Sequence, residues 1–137
     1  MRRVESTLPE KNGKIIVFFC EGSLRGKHLD EHIERHKEAF FVKMPCGGMV
    51  NPVVMFKSLM DGADGVVVYT CPEFDCHNFD GNSFSKRRVF AGRKVAEALG
   101  VHPWRLVHIE RDPLDPGLLT RTIVQMSRNV ESAEVIP

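Results

Sequence analysis

The segment from Gly65 to Thr70, Gly-Val-Val-Val-Tyr-Thr, constrains the fold more than any other part of this chain. It is an apolar, β-branched run without the alternation of apolar and polar residues that marks a strand with one solvated face. Continuous runs of this kind are typical of strands that are covered on both faces in parallel α/β sheets. The segment therefore predicts a buried strand, and Cys71 lies at its carboxyl end.

Two earlier apolar runs also end in a cysteine. Residues 14–20 end at Cys20 and residues 40–46 end at Cys46, while Cys76 follows Cys71 in a C-x4-C spacing. Parallel strands of one open sheet have their carboxyl ends at the same edge, which is where such sheets bind ligands. The sequence therefore predicts that all four cysteines converge at one edge.

Helical patterns alternate with these strands along the whole chain, which predicts βαβ units and a parallel sheet with helices on both faces. We expect a single-domain α/β three-layer sandwich with a mainly parallel, about four-stranded, flavodoxin-like sheet. Its predicted limits are residues 14–131, between a flexible arm at 1–13 and a tail at 132–137. Predicted strands are 14–20, 40–46, 65–71 and 105–110, and predicted helices are about 27–39, 52–60, 84–99 and 117–130.

Length and charge exclude several classes of function. At 137 residues the chain fits one domain that can bury a core without disulfides. Its 19 basic and 18 acidic residues leave a net charge of +1, which gives no case for binding nucleic acid. No apolar run approaches the roughly 18 residues of a membrane helix, so we expect no membrane insertion and a cytoplasmic location. Thiols stay reduced there, so the cysteines indicate metal binding or redox chemistry.

The residues alone leave the chemistry of the cysteines open. Four thiolates suit an iron-sulfur cluster or zinc, although structural zinc sites usually pair two short hooks and this chain has one. His77, next to Cys76, could replace or orient a ligand. A thiol-redox role is also open, although the C-x4-C spacing of Cys71 and Cys76 differs from the C-x-x-C spacing of thioredoxin-like enzymes. Each cysteine could also be an ordinary core residue at the end of a strand.

Two further groups of residues fall on predicted helices. His28, His32 and His36 recur at four-residue spacing among charged residues, and we interpret them as a solvated helix face rather than a metal-binding pair. The helix predicted at 84–99 is basic, which indicates a solvated outer face or a docking patch near the cysteine loop. Its basic residues are Lys86, Arg87, Arg88, Arg93 and Lys94.

Several motifs together resemble one known family, the iron-sulfur delta subunits of methyl-viologen-reducing hydrogenase. The resemblance runs from about Lys14 to the last helix. C-x4-C-H with a nearby Gly-Asn is its most specific mark. The matching segments are Met44-Pro-Cys-Gly-Gly-Met-Val-Asn51, Asp61-Gly-Ala-Asp-Gly-Val-Val-Val68, Cys71-Pro-Glu-Phe-Asp-Cys-His77 and Gly81-Asn82.

This resemblance implies an electron-transfer subunit that is not catalytic alone. It implies a 2Fe-2S cluster on Cys20, Cys46, Cys71 and Cys76, and a hetero-oligomer with a hydrogenase or other electron donor and a heterodisulfide-reductase-like flavoprotein subunit. The family commonly begins its first motif with C-x-x-C, and Ser23 stands here at the second position. The competing hypotheses are a cluster-free structural adaptor of such a complex and a zinc or thiol-redox regulator.

Overall fold

A computed structural model describes residues 14–20, 23–24, 26–44, 52–71 and 81–133 of the chain. Strands and helices alternate through these residues, so the predicted α/β class is confirmed. A short 3-10 helix precedes the last strand. The elements are β1 (Ile15–Cys20), α1 (Gly26–Arg35), β2 (Ala39–Met44), α2 (Pro52–Met60), β3 (Gly65–Thr70), α3 (Gly81–Ala98), the 3-10 helix (Pro103–Arg105), β4 (Leu106–Glu110) and α4 (Leu118–Ala133).

The four strands form one parallel sheet in the order β2-β1-β3-β4, as predicted for a flavodoxin-like fold. β1 and β3 are the central pair, with Phe19 opposite Tyr69 in the register. All six residues of β3 are buried, which agrees with the prediction of a strand covered on both faces. β4 pairs with β3 and lies at one margin of the sheet.

Helices cover both faces of the sheet and complete the three layers. On one face Ile33 of α1 and Ile123 of α4 pack in the same apolar cluster as the sheet residue Val67. On the other face Met55 of α2 and Val89 of α3 pack with Val68. Fully burying a side chain of this size contributes about 1.5–3 kcal/mol, so the two clusters supply most of the packing that holds the layers together.

The end of α3 follows the sequence prediction closely. Gly100 has a φ of 85°, a left-handed conformation that glycine adopts without steric cost. The backbone N–H of Val101 donates to the carbonyl of Ala96 at 2.8 Å, which satisfies a carbonyl of the last helical turn. The glycine after the helix is therefore the signal that stops it.

The first helix and the second strand differ from the prediction. α1 ends at Arg35, four residues early, because the N–H of Ala39 bonds the carbonyl of His36 in a tight turn that starts β2. β2 then ends at Met44, two residues before Cys46. At the other end of the chain α4 continues to Ala133. The arm predicted at 1–13 and the residues after 133 lie outside the described residues.

Candidate metal centre

Two of the four predicted ligand cysteines lie within the described residues, and both lie at the carboxyl edge of the sheet. Cys20 is the last residue of β1, and Cys71 directly follows β3. These strands are adjacent and parallel, so they end side by side. Both cysteines are thiols, and each has 3% of its surface exposed. The fold therefore buries Cys20 and Cys71 at the carboxyl ends of adjacent strands.

The other predicted ligands, Cys46 and Cys76, lie outside the described residues, as does His77. Their part in a metal centre stays a prediction. Before Cys46, the last described residue is Met44, and Met44 lies opposite Cys20 in the register between β1 and β2. After Cys76, the described chain resumes at Gly81, where α3 begins.

Ser23 joins the ends of the two central strands. Its hydroxyl lies 2.7 Å from the carbonyl oxygen of Cys20 and 3.1 Å from that of Tyr69, and it donates its hydrogen between them. The backbone N–H groups of Ser23 and Leu24 also donate to the Cys20 carbonyl, at 3.0 and 3.3 Å. Ser23 is 5% exposed. The residue at the expected second thiol position is thus a buried donor to the backbone, placed beside Cys20.

Tyr69 and Arg111 flank the cysteines from β3 and from the segment after β4. Burial raises the pKa of the Tyr69 hydroxyl, the positive charge of Arg111 opposes that rise, and Cys20 adds to it. The backbone N–H of Arg111 donates to the carbonyl of Thr70 at 2.8 Å, one residue before Cys71. The backbone of Arg111 is therefore fixed beside the end of β3, and its positive charge acts on the Tyr69 hydroxyl.

A polar pair of one buried and one partly buried residue lies beneath α3 next to this edge. Thr70, which is 0% exposed, has its Oγ1 3.1 Å from Nε2 of His108 on β4. Burial lowers the pKa of His108 to about 4, with Glu110 raising it and Lys86 lowering it. His108 is therefore neutral at pH 7. The sequence analysis missed this pair because the two residues are 38 apart and meet only when β3 and β4 align.

The histidines at positions 28, 32 and 36 do not form a uniformly solvated face, so that interpretation is wrong for part of the group. The side chain of His28 is 85% exposed, but His36 is 3% exposed and stacks on His32 with ring centroids 5.7 Å apart. Burial lowers the pKa of both stacked residues, that of His32 to about 4. His36 Nε2 lies 3.3 Å from Oγ1 of Thr120, so the pair packs against α4.

The chemistry open to this edge follows from its donor set. Cys20 and Cys71 are buried thiols, and cysteine sulfur is the type of ligand that zinc and iron-sulfur clusters take. Within the described ranges, no three or more His, Cys, Asp or Glu side chains are grouped so that they could hold a metal ion. Two of the four predicted ligands, Cys20 and Cys71, thus lie at the described edge, and their role as ligands stays a prediction.

Comparison with known proteins identifies the family. The family model described as methyl-viologen-reducing hydrogenase, delta subunit, matches residues 15–133 of this chain. That range includes every described strand and helix. The chain belongs to this delta-subunit family. The resemblance drawn from the cysteine motifs is thereby confirmed.

Curated relatives of this delta-subunit chain fall into two kinds. An iron-sulfur subunit of the F420-non-reducing hydrogenase from Archaeoglobus profundus is 40% identical over 65 residues, which is 47% of each protein. The chain thus spans about half the length of that relative. The second kind comes from CoB-CoM heterodisulfide reductases. In the ferredoxin/F(420)H(2)-dependent enzyme of Methanosarcina acetivorans, one subunit is 35% identical over 90 residues, 66% of this chain and 11% of the relative. Its counterpart in the ferredoxin-dependent enzyme of Methanosarcina mazei is 27% identical over 90 residues.

The helices in the described part of this delta-subunit chain are short or polar by the standard of a membrane span. None of them combines the length and the apolar character that crossing a bilayer requires.

Proposed function

We propose that this chain is an electron-transfer subunit that carries a 2Fe-2S cluster and relays electrons from a hydrogenase or another donor to a heterodisulfide-reductase-like partner. One observation carries the proposal: Cys20 and Cys71 are buried thiols at the adjacent ends of β1 and β3. Its context is a family whose relatives bear the name iron-sulfur subunit. Buried sulfur donors suit a cluster better than a hydrolytic metal, which usually takes nitrogen and oxygen ligands.

The proposed ligands are Cys20, Cys46, Cys71 and Cys76, which is the number of thiolates that an all-cysteine cluster requires. Such a cluster, when bound, supplies one-electron transfer. The chain's own residues would hold it and exclude water through the burial of Cys20 and Cys71. The described part contains no arrangement that we interpret as an independent catalytic site, and the chain is proposed to act only within a complex in the cytoplasm.

The proposed acceptor is a flavoprotein similar to the matched component of heterodisulfide reductase. Support comes from the match to 11% of the Methanosarcina acetivorans protein, because a segment like this chain is there part of one larger polypeptide. A domain that is covalently joined to an oxidoreductase in one protein can act as its separate subunit in another. We therefore propose a hetero-oligomer in which this chain contacts such a flavoprotein and an electron donor.

Substitution of the described cysteines tests the ligand assignment. We expect Cys20→Ser and Cys71→Ser each to lose the visible absorption and bound iron of protein purified without oxygen. Thr70→Ser is the matched control, because it changes the neighbouring buried residue without removing a thiol. Thermal unfolding of each variant would show that the fold is retained. If both cysteine variants keep the wild-type spectrum and iron content, neither residue is a ligand. The same measurement applies to Cys46→Ser and Cys76→Ser.

A cluster-free structural adaptor is the second candidate function, and Ser23 is the observation that favours it. A hydroxyl committed to the carbonyls of Cys20 and Tyr69 occupies the position where the family's second thiol is expected. On this hypothesis the thiols are dispensable. Electron flux through the assembled complex would then be undiminished when all four cysteines are replaced by serine, whereas the cluster hypothesis requires that flux to be lost.

A further inference from the structure

An open cleft of about 780 Å³ lies between α3, β4 and the segment that follows β4. Two large apolar side chains border it and are mostly exposed: Phe90 of α3 at 62% and Leu114 after β4 at 93%. Val89 and Ile109 add further apolar surface to its lining. Single exposed apolar residues are ordinary, but two at the rim of one apolar-lined cleft mark a surface suited to binding.

The lining of this cleft carries three basic side chains, Lys86, Arg93 and Arg111, and two acidic ones, Glu110 and Asp112. Lys86, Phe90 and Arg93 follow one another at spacings of four and three, so they form one stripe along α3, and all three line the cleft. Arg111 lines it from the opposite wall. Between residues 86 and 98, α3 carries five basic side chains and one acidic one, Glu97, although the whole chain has a net charge of only +1. α3 is therefore more basic than the chain as a whole, and two of its basic residues line the cleft.

The interactions that these basic residues make within the chain are of a kind that a partner could replace. Lys86 pairs with Glu110 at 2.9 Å, with the two side chains 49% and 30% exposed. Lys94 lies 5.4 Å from the centre of the Phe90 ring, and Nε of Arg93 donates to the carbonyl of Pro103 at 3.2 Å. Solvent-exposed ion pairs contribute little to stability, so exchanging one for a partner's carboxylate costs little.

The cleft adjoins the edge that carries the cysteines. Glu110, in its lining, lies opposite Thr70 in the register of β3 and β4. The N–H of Arg111 donates to the carbonyl of Thr70, whose next residue is Cys71. A partner seated in the cleft would therefore contact the chain beside the end of β3. That is where contact is needed if electrons pass through the cysteine edge.

We propose that this cleft docks an acidic segment of a partner protein, with an apolar side chain of that segment inserted between Phe90 and Leu114. That this partner is an electron-transfer protein rests on the proposed function. Carboxylates of the segment pair with Lys86, Arg93 and Arg111, while the apolar side chain covers surface that the described chain leaves exposed. Aromatic and arginine side chains around a desolvated apolar centre are the usual energetic centres of protein interfaces.

Titration of the full-length, isotope-labelled chain tests the proposal. The probe is a short synthetic peptide in which Glu and Asp residues surround one Trp. Its binding is measured from the changes it causes in the amide NMR shifts of the labelled chain. We expect the shifts to cluster at the residues that line the cleft, and the affinity to fall with added salt. Phe90→Ala and Arg93→Glu should each weaken binding about tenfold. Leu99→Ala is the matched control, because Leu99 is a 68% exposed apolar residue just beyond the other end of α3.

Three outcomes would overturn the docking proposal: shifts that map elsewhere or do not appear, wild-type affinity in both cleft variants, or equal affinity for a peptide with Lys in place of Glu and Asp. Tighter binding of a single-stranded oligonucleotide at the same residues would also overturn it. Iron and sulfide are measured on the same sample. Peptide binding without a cluster would therefore contradict only the proposed electron transfer, and a cluster without peptide binding would contradict only the docking surface.

Discussion

Single polar residues at the carboxyl ends of the strands are tied to neighbouring strands rather than left unsatisfied. Ser23 bonds the carbonyl of Tyr69, and Thr70 bonds His108. Such hydrogen bonds contribute about 1 kcal/mol each to the free energy of unfolding, and they fix the backbone beside Cys20 and Cys71. The sequence could predict where Ser23 lies relative to Cys20. It could not show its bond to Tyr69, because that contact exists only once β1 and β3 are adjacent.

The stacked histidines, His32 of α1 and His36 in the turn that follows it, make stability depend on pH. His32 Nδ1 is buried without a hydrogen-bond partner, and burial lowers the pKa of His32 from 6.5 to about 4 in the folded chain. Between these values the unfolded chain binds more protons than the folded chain. The stability that depends on neutral His32 is therefore fully present above pH 6.5, and it is lost as the pH falls toward 4.

Replacing His32 by leucine tests this account. We expect His32→Leu to raise the free energy of unfolding by about 1 kcal/mol at neutral pH, because it removes an unsatisfied buried nitrogen. It should also make the decline between pH 6.5 and 4 shallower. Urea unfolding at several pH values measures both effects. His28→Leu is the control, since the His28 side chain is 85% exposed. A decline as steep as that of the wild type would contradict the account.

At the scale of the elements, the apolar runs were sufficient to predict the parallel sheet and its flavodoxin-like character. β3 lacks alternation because both of its faces are covered, by α4 on one side and α2 and α3 on the other. The end of α1 was not predictable in this way. Its helical pattern continues through His36, and the pairing of β2 with β1 overrides it from Ala39 onward.

The contact between β3 and α4 offers a test of this packing. A Cβ added at Gly65 would overlap Sδ of Met126 and lie 2.9 Å from its Cγ. We expect Gly65→Ala to lower the free energy of unfolding by about 1–3 kcal/mol through overpacking. In a Met126→Ala background the same change should cost less than about 0.5 kcal/mol, because the space is then available. Urea unfolding measures both values. An equal loss of unfolding free energy in the two backgrounds would show that the two residues do not compete for that space.

At the scale of the whole molecule, the features relevant to function lie toward one edge. Cys20 and Cys71 end adjacent strands, and the cleft that Phe90 and Leu114 border adjoins the end of β3. The cysteine edge was foreseeable because parallel strands end together. The cleft was not, because it depends on which helix packs beside β4 and on which side chains that packing leaves exposed. The sequence indicated only that α3 is basic.

The most direct test of the electron-transfer account is a visible absorption spectrum, with iron and acid-labile sulfide assays, on full-length protein purified without oxygen. The account predicts a brown, reducible protein with about two irons and two sulfides per chain. A protein that is colourless as purified and stays colourless after cluster reconstitution would contradict it. A zinc assay on that sample would then distinguish a zinc-binding protein from a metal-free adaptor.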